Sequence, residues 1–422
     1  MGKRKRNAAR GRGGNGYAGY APERDGEEVE RVDAAGLGWA AFWERHVRPR
    51  KPCVLLGLLD AAEEWRGLRR WTVPYLARKA GGAEVRVEVR ATAADAYGEG
   101  RHRRMRFGDF LAEVEGGNER LYVTTQAAAV DRRGQPAVLG PPLLSLAGDF
   151  PAQPAILAGL VPAAANLWMG HAPAGAGTSS GLHHDFHDNL YALLRGRKRF
   201  VLVSPGEAAR MGTVGRVARV HANGLINYEG HEATRADGFT EGMRAIAAED
   251  RQRRAERRVA AAERAVERGE PGAERRLQEA SEELELALDA LLDGDDDGGW
   301  DEEGDAAEDE EEEEEEEAAA PGTTPPHFCK ESFFRGAAER SPNLRGVHRM
   351  TCTVEAGEVL YLPASWFHEV QSESVGGGGH LALNMWFHPP DGKSACDRPY
   401  TDPFWETNWE ERTTAGTAGT SA

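Results

Sequence analysis

Two blocks of short apolar strands, 189–203 and 357–387, stand on either side of a stretch that no sheet can absorb. The first block runs from Asn189-Leu190-Tyr191, turns at Arg195-Gly196-Arg197, and returns as Lys198-Arg199-Phe200-Val201-Leu202-Val203. The second reads Gly357-Glu358-Val359-Leu360-Tyr361-Leu362-Pro363, then Trp366-Phe367-His368-Glu369-Val370, a glycine loop at 376–379, and Leu381-Ala382-Leu383-Asn384-Met385-Trp386-Phe387. Runs of this length, punctuated by Gly, Pro and Ser, predict antiparallel strands. Paired strands split between two parts of the chain predict a jelly roll, whose two sheets close over a shared interior. The expected fold class is mainly β with α additions: a double-stranded β-helix (jelly roll) with N-terminal helices and a helical plus acidic insertion.

The stretch between the blocks begins after Ser204-Pro205, where the regular pattern stops. Residues 240–269 are rich in Ala, Arg and Glu, Glu270-Pro271-Gly272 breaks them, and a second helical run covers 273–292. Ala255, Val259, Ala262 and Val266 on one helix, with Leu277, Leu284, Leu288 and Leu291 on the other, predict a hairpin over 240–292 with a thin apolar seam. An acidic tract at 293–326 is too charged to pack. Its positions 293–317 hold 18 acidic residues and no basic one, so 69 less 18 leaves 51 acidic against 52 basic elsewhere. The net charge of −17 therefore belongs to the tract, and global charge points to no partner.

Residues 1–26, headed by Lys3-Arg4-Lys5-Arg6, predict a disordered basic arm, and 411–422 a disordered tail. An α/β part is expected over 27–165. It includes a helix around Leu37 to Trp43, a strand at 52–57, a helix at 73–79, and a half-exposed strand where Val85, Val87 and Val89 alternate with charges. A helix through Phe107 to Val114 and the strand Leu121-Tyr122-Val123 complete it, and the jelly-roll core takes 166–410. Four cysteines without a C-x-x-C pair argue against a zinc knuckle or a disulfide scaffold. No apolar run approaches the ~18 residues of a membrane span, and the N-terminus lacks the apolar core of a signal peptide. A cytoplasmic or nuclear location is expected.

His183-x-Asp185 sets two metal-ligand types two residues apart. On a strand the two side chains share a face, and His184 points away. With 13 His and 22 Asp in 422 residues, chance supplies roughly 0.7 such pairs per chain. The weight comes from His368, in phase with Trp366 and Val370 on a later strand of the same barrel. His183, Asp185 and His368 would make a facial 2-His-1-carboxylate set whose open positions suit Fe(II) in an oxygenase. Such an oxygenase needs an anchor for a dicarboxylate cosubstrate. Lys198 fits, because it shares the phase of Phe200 and Leu202 and a buried ammonium needs a carboxylate partner. His171, His184, His187, His221, His231, His327, His348 and His388 have no ligand spacing and read as ordinary surface or core histidines.

Taken together, these residues resemble the JmjC-domain Fe(II)/2-oxoglutarate oxygenases. The match runs through Leu182-His183-x-Asp185, Asn189-Leu190-Tyr191, Gly196-x-Lys198-x-Phe200, Gly357-Glu358 to Leu362-Pro363, Trp366-Phe367-His368 and Asn384-x-Trp386. The segment Phe42 to Val89, with Trp65 and Trp71-Thr72-Val73-Pro74-Tyr75-Leu76, is similar to the small cupin-like branch, above all to the JmjC lysyl hydroxylases of developmentally regulated GTPases. The likeness covers 34–205 and 327–410; the long insertion has no counterpart in it. It implies a cupin-like jelly roll with His183, Asp185 and His368 on iron and Lys198 on the distal carboxylate of 2-oxoglutarate. It also implies Ser180 where the family has Thr or Ser, Tyr122 reaching the same carboxylate, and Asn189 and Asn384 lining the cosubstrate and O2 side.

The implied reaction converts 2-oxoglutarate and O2 to succinate and CO2 while a substrate C–H becomes C–OH. On an N-methyl carbon the product collapses and the outcome is demethylation; on another carbon the hydroxyl stays. The expected function is hydroxylation of a protein side chain, lysine foremost. A JmjC-type histone lysine demethylase is the alternative, followed by a non-catalytic cupin-like scaffold. The expected partner is a protein substrate, GTPase-like or histone-like, offering a basic segment. No membrane is expected, nor nucleic acid beyond the basic arm, and a homodimer is a further option.

Overall fold

The structure, a computed structural model, describes residues 16–61, 63–92, 100–125, 137–172, 177–292, 324–334, 342–376, 378–392 and 395–418. They belong to two compact units, one spanning 1–232, 236–238 and 318–401, the other 233–235, 239–317 and 402–422.

The first unit is a two-sheet jelly roll. Its strands are β1 (Glu27–Glu28), β2 (Glu30–Asp33), β3 (Cys53–Leu56), β4 (Glu84–Val89), β5 (Arg101–Arg106), β6 (Leu121–Thr124), β7 (Pro162–Gly170), β8 (Thr178–Ser179), β9 (Asp188–Arg195), β10 (Arg197–Val203), β11 (Val217–Val220), β12 (Ile226–Tyr228), β13 (Arg349–Glu355), β14 (Val359–Leu362), β15 (Phe367–Glu373) and β16 (His380–Phe387). A nine-stranded sheet runs β2-β3-β14-β9-β16-β7-β6-β4-β5, and a five-stranded one β1-β13-β10-β15-β8. Neighbours are antiparallel except β1 with β13 and β2 with β3.

The inner faces follow from alternation. Tyr191 and Leu193 of β9 and Leu360 and Leu362 of β14 meet Phe200 and Leu202 of β10, Met350 and Val354 of β13, and Val370 of β15 in one core. Each such side chain taken fully out of water contributes about 1.5–3 kcal/mol. The hairpin from β9 to β10 depends on Gly196, at φ +85°. A Cβ there would lie 2.5 Å from the Glu373 carbonyl oxygen and 2.7 Å from His380 Cβ, so only glycine fits the turn.

The second unit consists of α1 (Arg244–Glu267), α2 (Ala273–Leu292) and α3 (Phe404–Ala418). The hairpin forms as expected, with Ala255 and Ala262 buried as the expected seam requires. On α2 the seam is different, and the Leu291 side chain lies outside the described residues. Ala255, Ala262 and Ala265 on α1 and Ala273, Ala280 and Ala287 on α2 are buried, while Leu286 is 70% exposed and Leu288 is exposed too. Leu277, Leu284 and Val259 lie half-buried beside the seam. Small side chains seven residues apart let two helices approach closely, and that contact displaces the larger leucines.

Two boundaries also move, at 16–26 and at the C-terminal tail, while 206–232 stays in the 166–410 core as expected. Residues 16–26 are not a free arm: the Tyr20 N–H donates to the Pro49 carbonyl at 2.7 Å and its ring stacks 6.4 Å from Trp366. Residues 206–232 belong to the jelly roll, where Ala208, Met211, Val220, Ile226 and Tyr228 pack with Phe367. The expected tail at 411–422 is helical as far as Ala418, anchored by buried Glu411 on Arg257. Residues 1–15, the tract over 293–323, and 419–422 lie outside the described residues. No helix among the described residues is long and apolar enough to cross a membrane.

Candidate metal centre and its cosubstrate pocket

The segment 178–185 is laced onto β15 along its length. The Ser180 N–H donates to the Val370 carbonyl at 3.0 Å, and the Val370 N–H donates back to Ser180 Oγ at 3.0 Å. His183 and His368 exchange N–H···O=C bonds of 3.0 and 2.7 Å, and the Ser365 N–H donates to the Asp185 carbonyl at 2.7 Å. His183 and Asp185 are not inside a regular strand as expected. They lie in an extended segment past β8, held by a single bridge to β15, because Gly181, at φ +71°, bends the chain before them. The consequence for side-chain direction is the same. His183 and Asp185 line the cavity, and His184 is buried on the other side with Nε2 2.7 Å from Tyr228 Oη.

Asp185 Oδ1 lies 4.0 Å from His183 Nε2, and Oδ2 lies 3.6 Å from His368 Nε2. Ligand atoms of the three residues all fall within 4.8 Å of one another. His183 Nδ1 is 3.0 Å from the Gly181 carbonyl oxygen and His368 Nδ1 is 2.9 Å from that of Trp366. A carbonyl can only accept, so each Nδ1 carries the proton and each Nε2 lone pair is left for the cavity. Burial, then the neighbouring His183, holds His368 down to about 4, so it is neutral at pH 7 as a metal ligand must be. Two imidazoles and a carboxylate converging this way fit a divalent transition metal, with their outer nitrogens oriented from the backbone. Phe328 stacks 4.9 Å from His183 and closes one flank.

The cavity that starts at this triad has a volume of about 60 Å³, several times the space one water needs. It is lined by all eight residues singled out in the sequence: His183, Asp185, His368, Lys198, Ser180, Tyr122, Asn189 and Asn384. Lys198 is 2% exposed, donates to Ser372 Oγ at 2.8 Å, and lies 5.5 Å over the Tyr191 ring. Burial, and secondly the charge of Arg90, lowers it to about 7. Ser180 Oγ is occupied by backbone, donating to the Gly181 carbonyl at 2.8 Å while it accepts from Val370. Asn384 Oδ1 accepts from Trp168 Nε1 at 2.9 Å, and the Asn189 Oδ1 is buried without a partner. Tyr122 packs edge-on to Trp168 at 6.4 Å.

Two features escaped the sequence reading. The first is Arg90, just past β4, buried in the cavity wall with its guanidinium 4.7 Å over Tyr122. Alternation puts Glu88 and Arg90 on the exposed face, yet both are buried. Glu88 is the register partner of Tyr122 on β6, so this face of β4 turns toward the cavity, and the Gly100 N–H donates to Glu88 at 2.9 Å. The second is Asp188, fully buried beside Asn189. It pairs with Arg50 through both oxygens and accepts from Tyr361 Oη at 2.7 Å and the Ala364 N–H at 3.0 Å. Arg50 in turn takes the Trp366 indole N–H on its carbonyl at 3.2 Å. This network fixes the start of β9 against the turn that delivers His368.

A family model described as a cupin-like domain matches residues 39–393. JmjC domain-containing protein 4 of Schizosaccharomyces pombe is 34% identical over 92% of this chain and 90% of its own length. The bifunctional peptidase and (3S)-lysyl hydroxylase JMJD7 of Homo sapiens is 24% identical over 82% of this chain and 80% of its own. Lysine-specific demethylase JMJ32 of Arabidopsis thaliana is 56% identical over 36 residues, 8% of this chain and 10% of that protein.

Proposed function

The chain belongs to the cupin-like JmjC family, and from that premise we propose that it is an Fe(II)- and 2-oxoglutarate-dependent dioxygenase that hydroxylates a protein side chain, lysine foremost. The observation that carries this reading is the placement of a convergent His183, Asp185, His368 triad and a buried, carboxylate-free Lys198 in one cavity.

Bound iron would supply the redox chemistry that couples decarboxylation of 2-oxoglutarate to oxygen insertion into a C–H bond. The chain's own residues do the rest. His183 and His368 hold the metal through Nε2 and Asp185 through its carboxylate. Lys198, steadied by Ser372, takes the distal carboxylate and gains the partner that burial demands. Asn189 offers its unpartnered Oδ1 to the same space, and Trp168 fixes Asn384. Tyr191, Phe200, Leu360, Leu362 and Val370 form an apolar wall that keeps water from the reacting carbon.

The lysyl target follows the likeness to a (3S)-lysyl hydroxylase along most of both chains. The short, strong match to a lysine-specific demethylase favours a second reading, removal of an N-methyl group from lysine by the same hydroxylation. The partner in either case is a protein with an accessible lysine, GTPase-like in the first reading and histone-like in the second. The test is succinate release with Fe(II), 2-oxoglutarate and a peptide or lysate substrate, followed by mass spectrometry of that substrate. A gain of one oxygen supports hydroxylation and loss of a methylene supports demethylation. No succinate from the wild-type protein, or the same amount from His183→Ala, would overturn the oxygenase reading.

A further inference from the structure

Away from the triad the cavity wall carries two cationic side chains, and no carboxylate among the described residues lines that part of it. Arg90 and Lys198 are each 2% exposed and both line it. Among the described residues neither is paired with a carboxylate. Arg90 presents its guanidinium face to the Tyr122 ring, which accounts for part of its charge. The ring does nothing for the Nε–H, which is buried and unbonded. Glu88, two residues before Arg90 on the same face of β4, is the buried carboxylate nearest in the chain; it accepts from the Gly100 N–H and forms no ion pair with Arg90. Tyr191 and Ser372 are neutral, and burial holds His380 well below the ordinary histidine range, with Lys198 and Arg90 adding to the effect. With no described carboxylate paired to either group, a bound anion would offset what burial costs both.

We propose that Arg90 is a second cosubstrate-binding residue, its guanidinium gripping the carboxylate distal to the metal together with Lys198, so that the pocket selects a dicarboxylate over a monocarboxylic 2-oxo acid. This rests on the oxygenase reading and adds to it a residue that the family resemblance does not supply. The chemistry suits both partners. A carboxylate has two oxygens and about four acceptor sites, enough for the planar fork of an Arg and one N–H of a Lys at once. Tyr122, under the guanidinium, holds the fork in its plane.

The arrangement also has a pH signature. The groups around Lys198 are Arg90 past β4, with Glu88 before it, Tyr122 on β6, Tyr191 on β9, Ser372 on β15 and His380 on β16, which Arg195 and His171 influence in turn. Arg90 is the cation that, after burial, lowers Lys198 to about 7 in the ligand-free protein. Dicarboxylate affinity should therefore fall as pH rises through about 7, and removing Arg90 should move that fall to higher pH.

The experiment is calorimetric titration of the full chain loaded with redox-silent Mn(II), using 2-oxoglutarate and 2-oxobutyrate, which share the chelating head and differ in the distal carboxylate. Wild type, Arg90→Met, Arg90→Lys and Lys198→Met are compared, each first shown to melt cooperatively. Arg90→Met should weaken 2-oxoglutarate on the order of 10- to 100-fold and leave 2-oxobutyrate unchanged. Arg90→Lys should recover part of the loss. If Arg90→Met binds both ligands as wild type does, or loses both equally, the inference is wrong while the oxygenase reading stands on Lys198. If wild type binds no 2-oxo acid at all, the oxygenase reading falls and takes the inference with it.

Discussion

The jelly roll and the helical unit differ in how much of each rests on buried polar networks. In the jelly roll, two buried carboxylates each gather several partners. Asp188 satisfies Arg50, Tyr361 and the Ala364 N–H, and Glu369 accepts from Ser179 Oγ, Ser332 Oγ and the Phe333 N–H at 2.5–2.7 Å. The helical unit has polar bonds to buried carboxylates too, Asn408 to Asp250 at 2.8 Å and Arg257 to Glu411 at 2.9 Å, but its long seam is alanine and pairs such as Arg258 with Glu283 stand in solvent. Buried polar networks fix position, because any shift leaves a charge unsatisfied. Alanine seams and surface pairs tolerate shift. That is why the three candidate ligands lie in the first unit, where each is tied to a particular backbone atom.

The comparison breaks most sharply at Asp188. Asp188→Ala leaves Arg50 buried and unpaired, and should destabilise the protein by about 3–5 kcal/mol in urea unfolding. A loss below about 1 kcal/mol would mean the network is not the anchor described here. Next comes Ala280→Leu in the alanine seam, where overpacking should cost about 1–3 kcal/mol in the helical unit's own transition. Succinate release should be unchanged, and a fall in it would show that the two units are coupled.

Lys198 gives a pH test with a definite sign. Its folded value, about 7, lies below that of a free lysine, 10.5, so between the two the unfolded chain binds more protons and stability rises with pH. Melting of the ligand-free protein across that range should show the rise in wild type and lack it in Lys198→Met, with the variant the more stable at pH 7. The smallest effect belongs to Glu283→Ala, which breaks an exposed pair with Arg258 and should change stability by less than about 0.5 kcal/mol.

Much of the jelly roll could be read from alternation. Tyr191 and Leu193 and their partners Phe200 and Leu202 face inward as their phase requires, and Lys198 goes with them. The triad was legible for the same reason, since residues two apart on extended chain share a side even outside a regular strand. Arg90 was not, because alternation alone assigns the charged face of β4 to water, whereas its pairing with β6 turns that face toward the cavity. The seam was misjudged because hydrophobicity ranks leucine above alanine, whereas close helix approach is decided by size. Residues 16–26 looked free in a Gly-rich setting, although Tyr17 and Tyr20 were a sign of packing. Asp188 carried no local signal, since its partner Arg50 is far away in sequence.

The central claim is that one cavity binds a metal through His183, Asp185 and His368 and a 2-oxo dicarboxylate through Lys198. Anaerobic addition of Fe(II) and then 2-oxoglutarate tests it directly, because chelation of the metal by the keto acid produces a visible charge-transfer band. The account predicts a saturable band in wild type, none in Asp185→Ala or His368→Ala, and a much weaker titration in Lys198→Met. A band of wild-type strength in Asp185→Ala, or none in wild type, would contradict it.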